Sequence, residues 1–365
     1  MRIGIDMRMA GTGEGIGRYI EELVRHLAAI DRKNEYVLIF QDKSVAANFQ
    51  FSIFNFQKII VKSKYYSFAE QTRLIWELRR LKLDVMHFPS FNAPIFYPGK
   101  FVVTIHDMIH HFFPGKKKAR LIHRAAYRAV MGSAIVRSRK IIAVSENTKK
   151  DIMKNYRVSP GKIEVIYEGV GEKFSGAQDL DRGKFAITKP YILFVGVWRQ
   201  YKNLPHLAAA FDILRQRYGH DLQLALAGKI DPFYPEIERE VMSAKQAADI
   251  RALGYVSDTE LVALYRHASL FVLPSLIEGF GLIGAEAQSA GVPVAASDIP
   301  VLREVLGAGA LYFDPRNVED MAAKMNVILS DEKQRRRLTT AGKLNAGRFD
   351  WRKCAEATLE IYGKV

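Results

Sequence analysis

The stretch Pro274–Pro300, PSLIEGFGLIGAEAQSAGVPVAASDIP, decides the fold. Just before it, Leu270–Leu273 is apolar and β-leaning, which reads as a buried parallel strand ending at Pro274. A short loop leads to Gly279-Phe280-Gly281. The Ala-rich segment Leu282–Ala290 is then predicted as a helix stopped by Gly291, and Val292–Ala296 as the next strand. Glu278 falls in the turn before the helix, and Glu286 about one turn inside it. The glycines let backbone come close to a ligand, and the N–H groups at the helix start favour an anion. A carboxylate does not itself hold phosphate, so the two glutamates suit hydroxyls beside that anion. An anion flanked by polyhydroxylated rings describes a sugar nucleotide. The plain alternative is two surface glutamates on one helix face.

Outward from this unit the same alternation continues. Tyr191–Val195, Leu222–Ala227 and Ile250–Leu253 read as strands, separated by helices Leu204–Tyr218, Tyr234–Ala248 and Asp258–Ala268. Helices near Val318–Leu329, Asp331–Ala346 and Trp351–Tyr362 complete the chain. The first half repeats the pattern. Strands are predicted at Arg2–Met7, Tyr36–Gln41, Val85–Phe88, Phe101–Ile105, Ile141–Val144 and Ile163–Ile166. Helices are predicted at Arg18–Ile30, Phe68–Leu81, about Ala119 to Ser138, and Glu146–Tyr156 capped by Ser145. The stretch Phe49–Phe56 finds no place in this scheme. Such alternation implies right-handed crossovers and parallel sheets. The polar, turn-rich Gly171–Lys189 marks a boundary between two α/β domains, 1–172 and 185–350, with a last helix, 351–365, that can return to the first.

Hydrophobic content is 48% over 365 residues, enough for two sizeable cores. No apolar run is long enough to span a bilayer, and MRIGIDMRMA enters a strand with no signal peptide. The single cysteine, Cys354, excludes internal disulfides and a Cys-based zinc site and suits a reducing cytoplasm. The net charge of +15 is uneven, with 30 Lys+Arg against 16 Asp+Glu in residues 1–175 and 24 against 23 in the remainder. A basic first half calls for an anionic partner, unless it is merely a soluble basic surface: acidic lipid, lipid-linked pyrophosphate or nucleic acid.

Strand-end loops carry the candidate chemistry. Arg199 and Lys202, three apart in the loop after Tyr191–Val195, would neutralise a diphosphate. Fixed cations there act most on the charge that a leaving nucleoside diphosphate gains in the transition state. Gly11, Gly13, Gly15 and Gly17 form a strand-to-helix loop suited to phosphate. It misses the dinucleotide fingerprint because the third glycine would fall on Ile16, and it lacks the Gly-Lys-Ser/Thr ending of a triphosphate loop. His106-Asp107 closes a strand, as a site residue should. His106, His110, His111 and Asp107 do not make a convincing metal set, because His106 and His110 do not share a helix face. No pair of carboxylates is laid out for hydrolysis.

EGFGLIGAEAQSAGVPV resembles the Glu-x7-Glu signature of retaining GT-B glycosyltransferases of glycosyltransferase family 4. The likeness spans most of the chain and is densest from Tyr191 to Asp314. It implies a GT-B fold, two doubly wound Rossmann-like domains facing a cleft. Glu278 would lie near the transferred sugar, and Glu286 would bind the ribose. Arg199 and Lys202 match the Arg/Lys pair before Asn-Leu, and the loop with Gly13 and Gly15 would lie near the donor diphosphate and acceptor. Tyr255 and Val256 match the loop against the base. Gly279, Phe280, Gly281, Leu282 and Ile283 would complete the donor site. His106 would orient the donor sugar, with Ser145 and Asn147 as weaker candidates. Tyr167-Glu168-Gly169-Val170 matches an interdomain segment and reads as structural. The resemblance further implies sugar transfer with retention, without a metal and with no cofactor beyond the nucleotide-sugar donor.

Likeness of G-I-G-R-Y, T-I-H-D and Y-E-G-V to bacterial mannosyltransferases points to GDP-mannose, with a UDP-sugar as the alternative. The acceptor would be a lipid-linked saccharide or glycolipid in cell-surface polysaccharide synthesis. The protein is then expected in the cytoplasm, peripheral at the inner face of the plasma membrane. Basic helices of its N-terminal domain would rest on anionic lipid, each nearby Lys or Arg adding about 1 kcal/mol. A nucleic-acid-binding protein is the non-enzyme alternative raised by the pI of 9.7, although no aromatic-basic RNA motif or helix-turn-helix signal appears. A nicotinamide dehydrogenase is disfavoured by the broken glycine fingerprint.

Overall fold

The computed structural model describes residues 1–13, 15–49, 55–116, 121–171 and 179–365. Lys117 and Lys118 of the basic run, the expected helix start at Ala119, residues 50–54 of the unplaced apolar stretch, and 172–178 of the expected boundary lie outside these. The chain divides into two compact units, Met1–Gly169 with Asp350–Val365, and Val170–Phe349.

The first unit is a seven-stranded sheet in the order β3-β2-β1-β4-β5-β6-β7. Its strands are β1 Arg2–Asp6, β2 Glu35–Phe40, β3 Phe56–Ile60, β4 Val85–Phe88, β5 Phe101–Ile105, β6 Lys140–Ala143 and β7 Ile163–Val165. All its ladders are parallel. Its helices are α1 Gly15–Ile30, α2 Lys43–Asn48, α3 Phe68–Gln71, α4 Arg73–Arg79, α5 Ile109–Phe112, α6 Leu121–Arg137, α7 Glu146–Asn155 and, from the C-terminus, α15 Trp351–Gly363. Alternate strand residues feed two cores, which is why these strands read as continuous apolar runs. Val102 and Ile142 pack with α1 and α15, while Val103, Ile105 and Ile141 pack with α4, α6 and α7.

Three expectations need correction here. Helix α1 starts at Gly15, inside the supposed glycine loop, because Gly17 is buried with the Met9 carbonyl only 2.8 Å from where a Cβ would stand. The expected helix Phe68–Leu81 is two helices broken at Thr72 (φ −125°, ψ −74°). The break follows from side chains drawn inward just before it: Glu70 bonds Arg8 at 2.7 Å, and Gln71 accepts from the Ile95 amide at 2.9 Å. Finally, α2, β3 and α5 are not expected from the sequence: α2 and α5 span six and four residues, too few for helical periodicity, and the edge strand β3 is exposed or half-buried throughout, so it lacks the apolar run of a covered strand.

The second unit is a six-stranded parallel sheet in the order β10-β9-β8-β11-β12-β13. Its strands are β8 Tyr191–Val195, β9 Gln223–Ala227, β10 Ile250–Gly254, β11 Leu270–Leu273, β12 Val294–Ser297 and β13 Ala310–Phe313. Its helices are α8 Leu204–Gln216, α9 Pro235–Met242, α10 Asp258–His267, α11 Leu282–Ser289, α12 Pro300–Leu306, α13 Val318–Ser330 and α14 Glu332–Ala346. Helix α9 ends six residues before the sequence predicts, since Asp212 takes the amides of Lys245 and Gln246 and turns the chain toward β10. In each sheet the strand order reverses beside the first strand, between β1 and β4 and between β8 and β11. The carboxyl ends at such a reversal are where doubly wound sheets hold ligands.

Candidate active site

In the second unit four strand-end loops meet around the β8/β11 reversal. The loops after β8 and β9 run in close contact. Gly196 donates to Ala227 O at 2.8 Å and Trp198 to Lys229 O at 3.0 Å. Gly228 (φ 135°) permits this, since a Cβ there would stand 2.1 Å from the Gly196 oxygen. Arg199 leaves this junction extended, and its Nε lies 3.0 Å from Asp231 Oδ2. A single 3-10 turn, Gln200–Lys202, follows and ends at Asn203 in the left-handed region (φ 60°). The buried Asn203 amide donates to Pro274 O at 3.1 Å and to Pro315 O at 2.7 Å, and Leu276 N donates to Tyr201 O at 2.8 Å. These bonds staple the cation-bearing loop to the loop after β11.

Across the reversal Lys202 Nζ lies 2.6 Å from Glu278 Oε1, both side chains only about a tenth exposed. Gly281 (φ 86°) caps α11, whose first turn follows Glu278 by four residues. A Cβ on Gly281 would come within 2.6 Å of Leu302. Phe280 is buried against Phe349, so it shapes the loop and presents little surface to a ligand. Glu286 is 1% exposed, with the Tyr265 hydroxyl 3.4 Å from Oε2 and also donating to Ile283 O. Leu282 and Ile283 are half-buried in the same turn. At the end of β10 Tyr255 is 66% exposed, with Lys229 Nζ 5.3 Å from its ring, and Val256 precedes the Ser257/Glu260 capping box of α10. Arg199, Lys202, Tyr255, Val256, Glu278–Ile283 and Glu286 thus all belong to the carboxyl edge of one sheet. Sequence reasoning missed Asp231, Lys229 and Tyr265, and it saw Asn203 only as part of a spacing. A strand-end position in Gly228-Lys229-Ile230-Asp231 was the available signal for two of them.

Gly13, Gly15 and His106 lie at the carboxyl edge of the first unit. Gly13 is left-handed (φ 69°) in the loop after β1. Beneath that loop the fully buried Arg8 bonds Asp6 at 2.6 and 2.8 Å and Glu70 at 2.7 Å, while Asn92 donates to Glu70 at 2.8 Å. Burial raises Glu70 to about 7 against the lowering pull of Arg8. His106 is tied at both ring nitrogens, Nδ1 to Glu168 Oε1 and Nε2 to Pro89 O, each at 2.9 Å. Both partners accept, so the ring is best served as a cation. Burial alone would lower its pKa, but the Glu168 bond and charge, with the Pro89 carbonyl, outweigh burial and raise it. Ser145 Oγ caps α7 through Thr148 N at 3.0 Å, and Asn147 donates to Asp151 at 3.1 Å. Among the described residues no three His, Cys, Asp or Glu are arranged to hold a metal ion.

Two doubly wound sheets, one with an acid–cation pair across its strand reversal before a glycine-capped helix, define an α/β protein of the class that holds ligands at such reversals. Comparison narrows that class. Residues 13–173 match the family model Glycosyltransferase Family 4, and residues 177–345 match Glycosyl transferases group 1. The chain belongs to the glycosyltransferases, with the GT-B fold. It is 28% identical over 376 residues to the O-antigen chain mannosyltransferase B of Escherichia coli, covering 95% of each chain. It is also 28% identical over 281 residues to the serotype-specific mannosyltransferase WbdA of Escherichia coli, a match covering 73% of this chain and 34% of that longer protein. Among solved structures, Anabaena HepE in complex with UDP-glucose superposes over 100% of both chains with a TM-score of 0.80 at 14% identity, which bears on the fold alone.

Proposed function

We propose that this glycosyltransferase moves a hexose, with retention and without a metal, from a nucleotide sugar onto a lipid-linked saccharide or glycolipid in cell-surface polysaccharide synthesis. The Lys202–Glu278 pair across the β8/β11 reversal carries the reading. A diphosphate at the start of α11 meets the helix amides, Lys202 and Arg199. As the sugar C1–oxygen bond breaks, both electrons leave with the diphosphate, and these cations stabilise the charge more in the transition state than before it. The acceptor oxygen bonds to C1 on the same face, and its proton passes to the departing phosphate oxygen. Glu278 holds donor hydroxyls and supports the oxocarbenium-like carbon, and Glu286 receives the ribose hydroxyls. His106, both nitrogens already bonded, acts as a fixed positive charge.

The mannosyltransferase relatives favour GDP-mannose. A UDP-sugar is the alternative donor, and one assay separates the two. The basic first half of the sequence supports work at an anionic membrane surface on the cytoplasmic side. The deciding experiment is a donor screen that follows nucleoside diphosphate release from each sugar nucleotide. GDP release from GDP-mannose is expected. Absence of release from every donor, with no calorimetric binding of GDP or UDP, overturns the assignment.

A further inference from the structure

The pairing of β8 with β9 continues past the ends of both strands. Beyond them Trp198 and Ile230 form a further parallel bridge, and Trp198 N donates to Lys229 O at 3.0 Å. Arg199 and Asp231 are the next residue on each loop, and so they stand side by side, with Arg199 Nε 3.0 Å from Asp231 Oδ2. Asp231 is also fixed from within its own loop. Its Oδ1 accepts from Phe233 N at 3.1 Å, and its carbonyl accepts from Tyr234 N at 2.9 Å, in the turn that leads into α9. The loop after β10 joins the same frame through Gly228, whose amide donates to Gly254 O at 2.7 Å. The Asp231 side chain is 11% exposed and that of Arg199 33%, so the carboxylate is set back and the guanidinium is the more open of the two.

The two acid–cation pairs at this strand reversal differ in kind. Glu278 stands in the turn before α11, across the reversal from Lys202, where donor hydroxyls would compete for it. Asp231 has a bond on each oxygen. Its partner is met at Nε, behind the terminal nitrogens with which arginine grips phosphate in pairs. We infer that Asp231 is a positioning residue for sugar transfer, holding Arg199 in the orientation that meets the departing diphosphate. It acts through Arg199 and does not itself touch the donor. The inference rests on the nucleotide-sugar reading of this site and adds the acid that aims its cation. Two effects of Asp231 oppose each other. Ordering one long side chain on binding costs about two- to tenfold in affinity, and a carboxylate that fixes the guanidinium beforehand removes that cost. The negative charge of the same carboxylate repels an anion, but beside a partly solvated arginine such a charge is screened and counts for little. Orientation therefore outweighs repulsion, which sets the sign of the expected effect.

Asp231→Asn tests this without undoing the loop. Asparagine has one acceptor oxygen, enough for the turn at Phe233 N but not for Arg199 Nε at the same time. Calorimetry with GDP and with UDP compares the full chain with Asp231→Asn, Arg199→Ala and the double variant. For the nucleotide that binds, Asp231→Asn should weaken affinity about fivefold, with the unfolding midpoint unchanged. It should lower kcat/KM for nucleoside diphosphate release from the matching sugar nucleotide by more than about tenfold, since a misplaced cation loses most where charge develops. The double variant should bind as Arg199→Ala does, because the acid then has no arginine to hold. Tighter binding by Asp231→Asn would show that the acid only tempers positive charge, and it overturns the inference. A loss that persists undiminished in the Arg199→Ala background overturns it as well. Binding and turnover equal to wild type overturn it while leaving the donor site in place. If wild type binds neither nucleotide, the nucleotide-sugar reading falls and takes this inference with it.

Discussion

The carboxyl edges of the two sheets treat charge differently. In the second unit Arg199 and Lys202 each face one carboxylate, Asp231 and Glu278, supplied by a neighbouring strand-end loop. Backbone bonds between those loops fix the pairs at the strand reversal, with Lys202 and Glu278 about a tenth exposed. In the first unit the strong ion pairs lie beneath the edge. Arg8 is wholly enclosed between Asp6 and Glu70, and His106 is held between Glu168 and Pro89. Arg124 and Arg128 of α6 are exposed. One edge pairs its charges between neighbouring strand-end loops; the other uses charge beneath the edge to hold its loops.

Breaking the buried knot should have the largest effect. Arg8→Met leaves two carboxylates in an enclosed site, and removing one partner of such a group costs about 3–5 kcal/mol. Hydrogen exchange should then show lost protection at β1, with β8 amides unchanged. Loss below about 1 kcal/mol would mean that the knot is not what holds the first edge together. On the other edge, Glu278→Gln should leave stability near wild type and lower kcat by on the order of 100- to 1000-fold, the range for a group acting on transition-state charge. A near-normal rate in a folded variant would remove Glu278 from the reaction. Asn203→Ala should cost about 1–3 kcal/mol, because the Pro274 and Pro315 carbonyls lose their donor. Asn203→Gly keeps the left-handed backbone without the amide. If Gly restores both stability and donor KM, backbone shape and not the staple is what Asn203 provides.

The alternation of strands and helices was readable because both sheets are parallel and doubly covered. Leu270–Leu273 and Tyr191–Val195 are unbroken apolar runs between turn formers, and both strands begin and end where the sequence places them. The break at Thr72 was not readable. Phe68–Leu81 has helical periodicity throughout, and it is divided by the reach of Glu70 to Arg8, 62 positions earlier, and of Gln71 to the Ile95 amide, 24 positions later. The same limit applies at the candidate site. Glu278, Glu286, Arg199 and Lys202 stand in recognisable local spacing, whereas Asp231 enters through a contact 32 residues away that no spacing encodes. Glu168 likewise reads as part of a connecting segment until it is seen 2.9 Å from His106.

The smallest effect comes from the two histidines of the first unit, which should bend its stability in opposite directions with pH. His87 is fully buried, bonded to the Tyr362 and Thr104 hydroxyls. Burial first, and then the charge of His106, lowers it to about 3. A depressed histidine stays neutral in the fold while the unfolded chain takes up a proton, so stability is lost as pH falls from about 6.5 toward 3. His106 is raised by Glu168, so its contribution is complete below about 6.5 and is lost as pH rises through the folded value. Glu70, raised to about 7, also favours the fold as pH falls from 7 toward its ordinary 4.5, so each limb must be read as a difference between variants. His106→Gln should flatten the alkaline limb in urea midpoints or β5 amide exchange. It should also soften the acid limb, because His87 then loses the neighbouring charge that helps to depress it. An alkaline limb of the same size in His106→Gln as in wild type would mean that the ring is neutral in the fold and that its bond to Glu168 is not an ion pair.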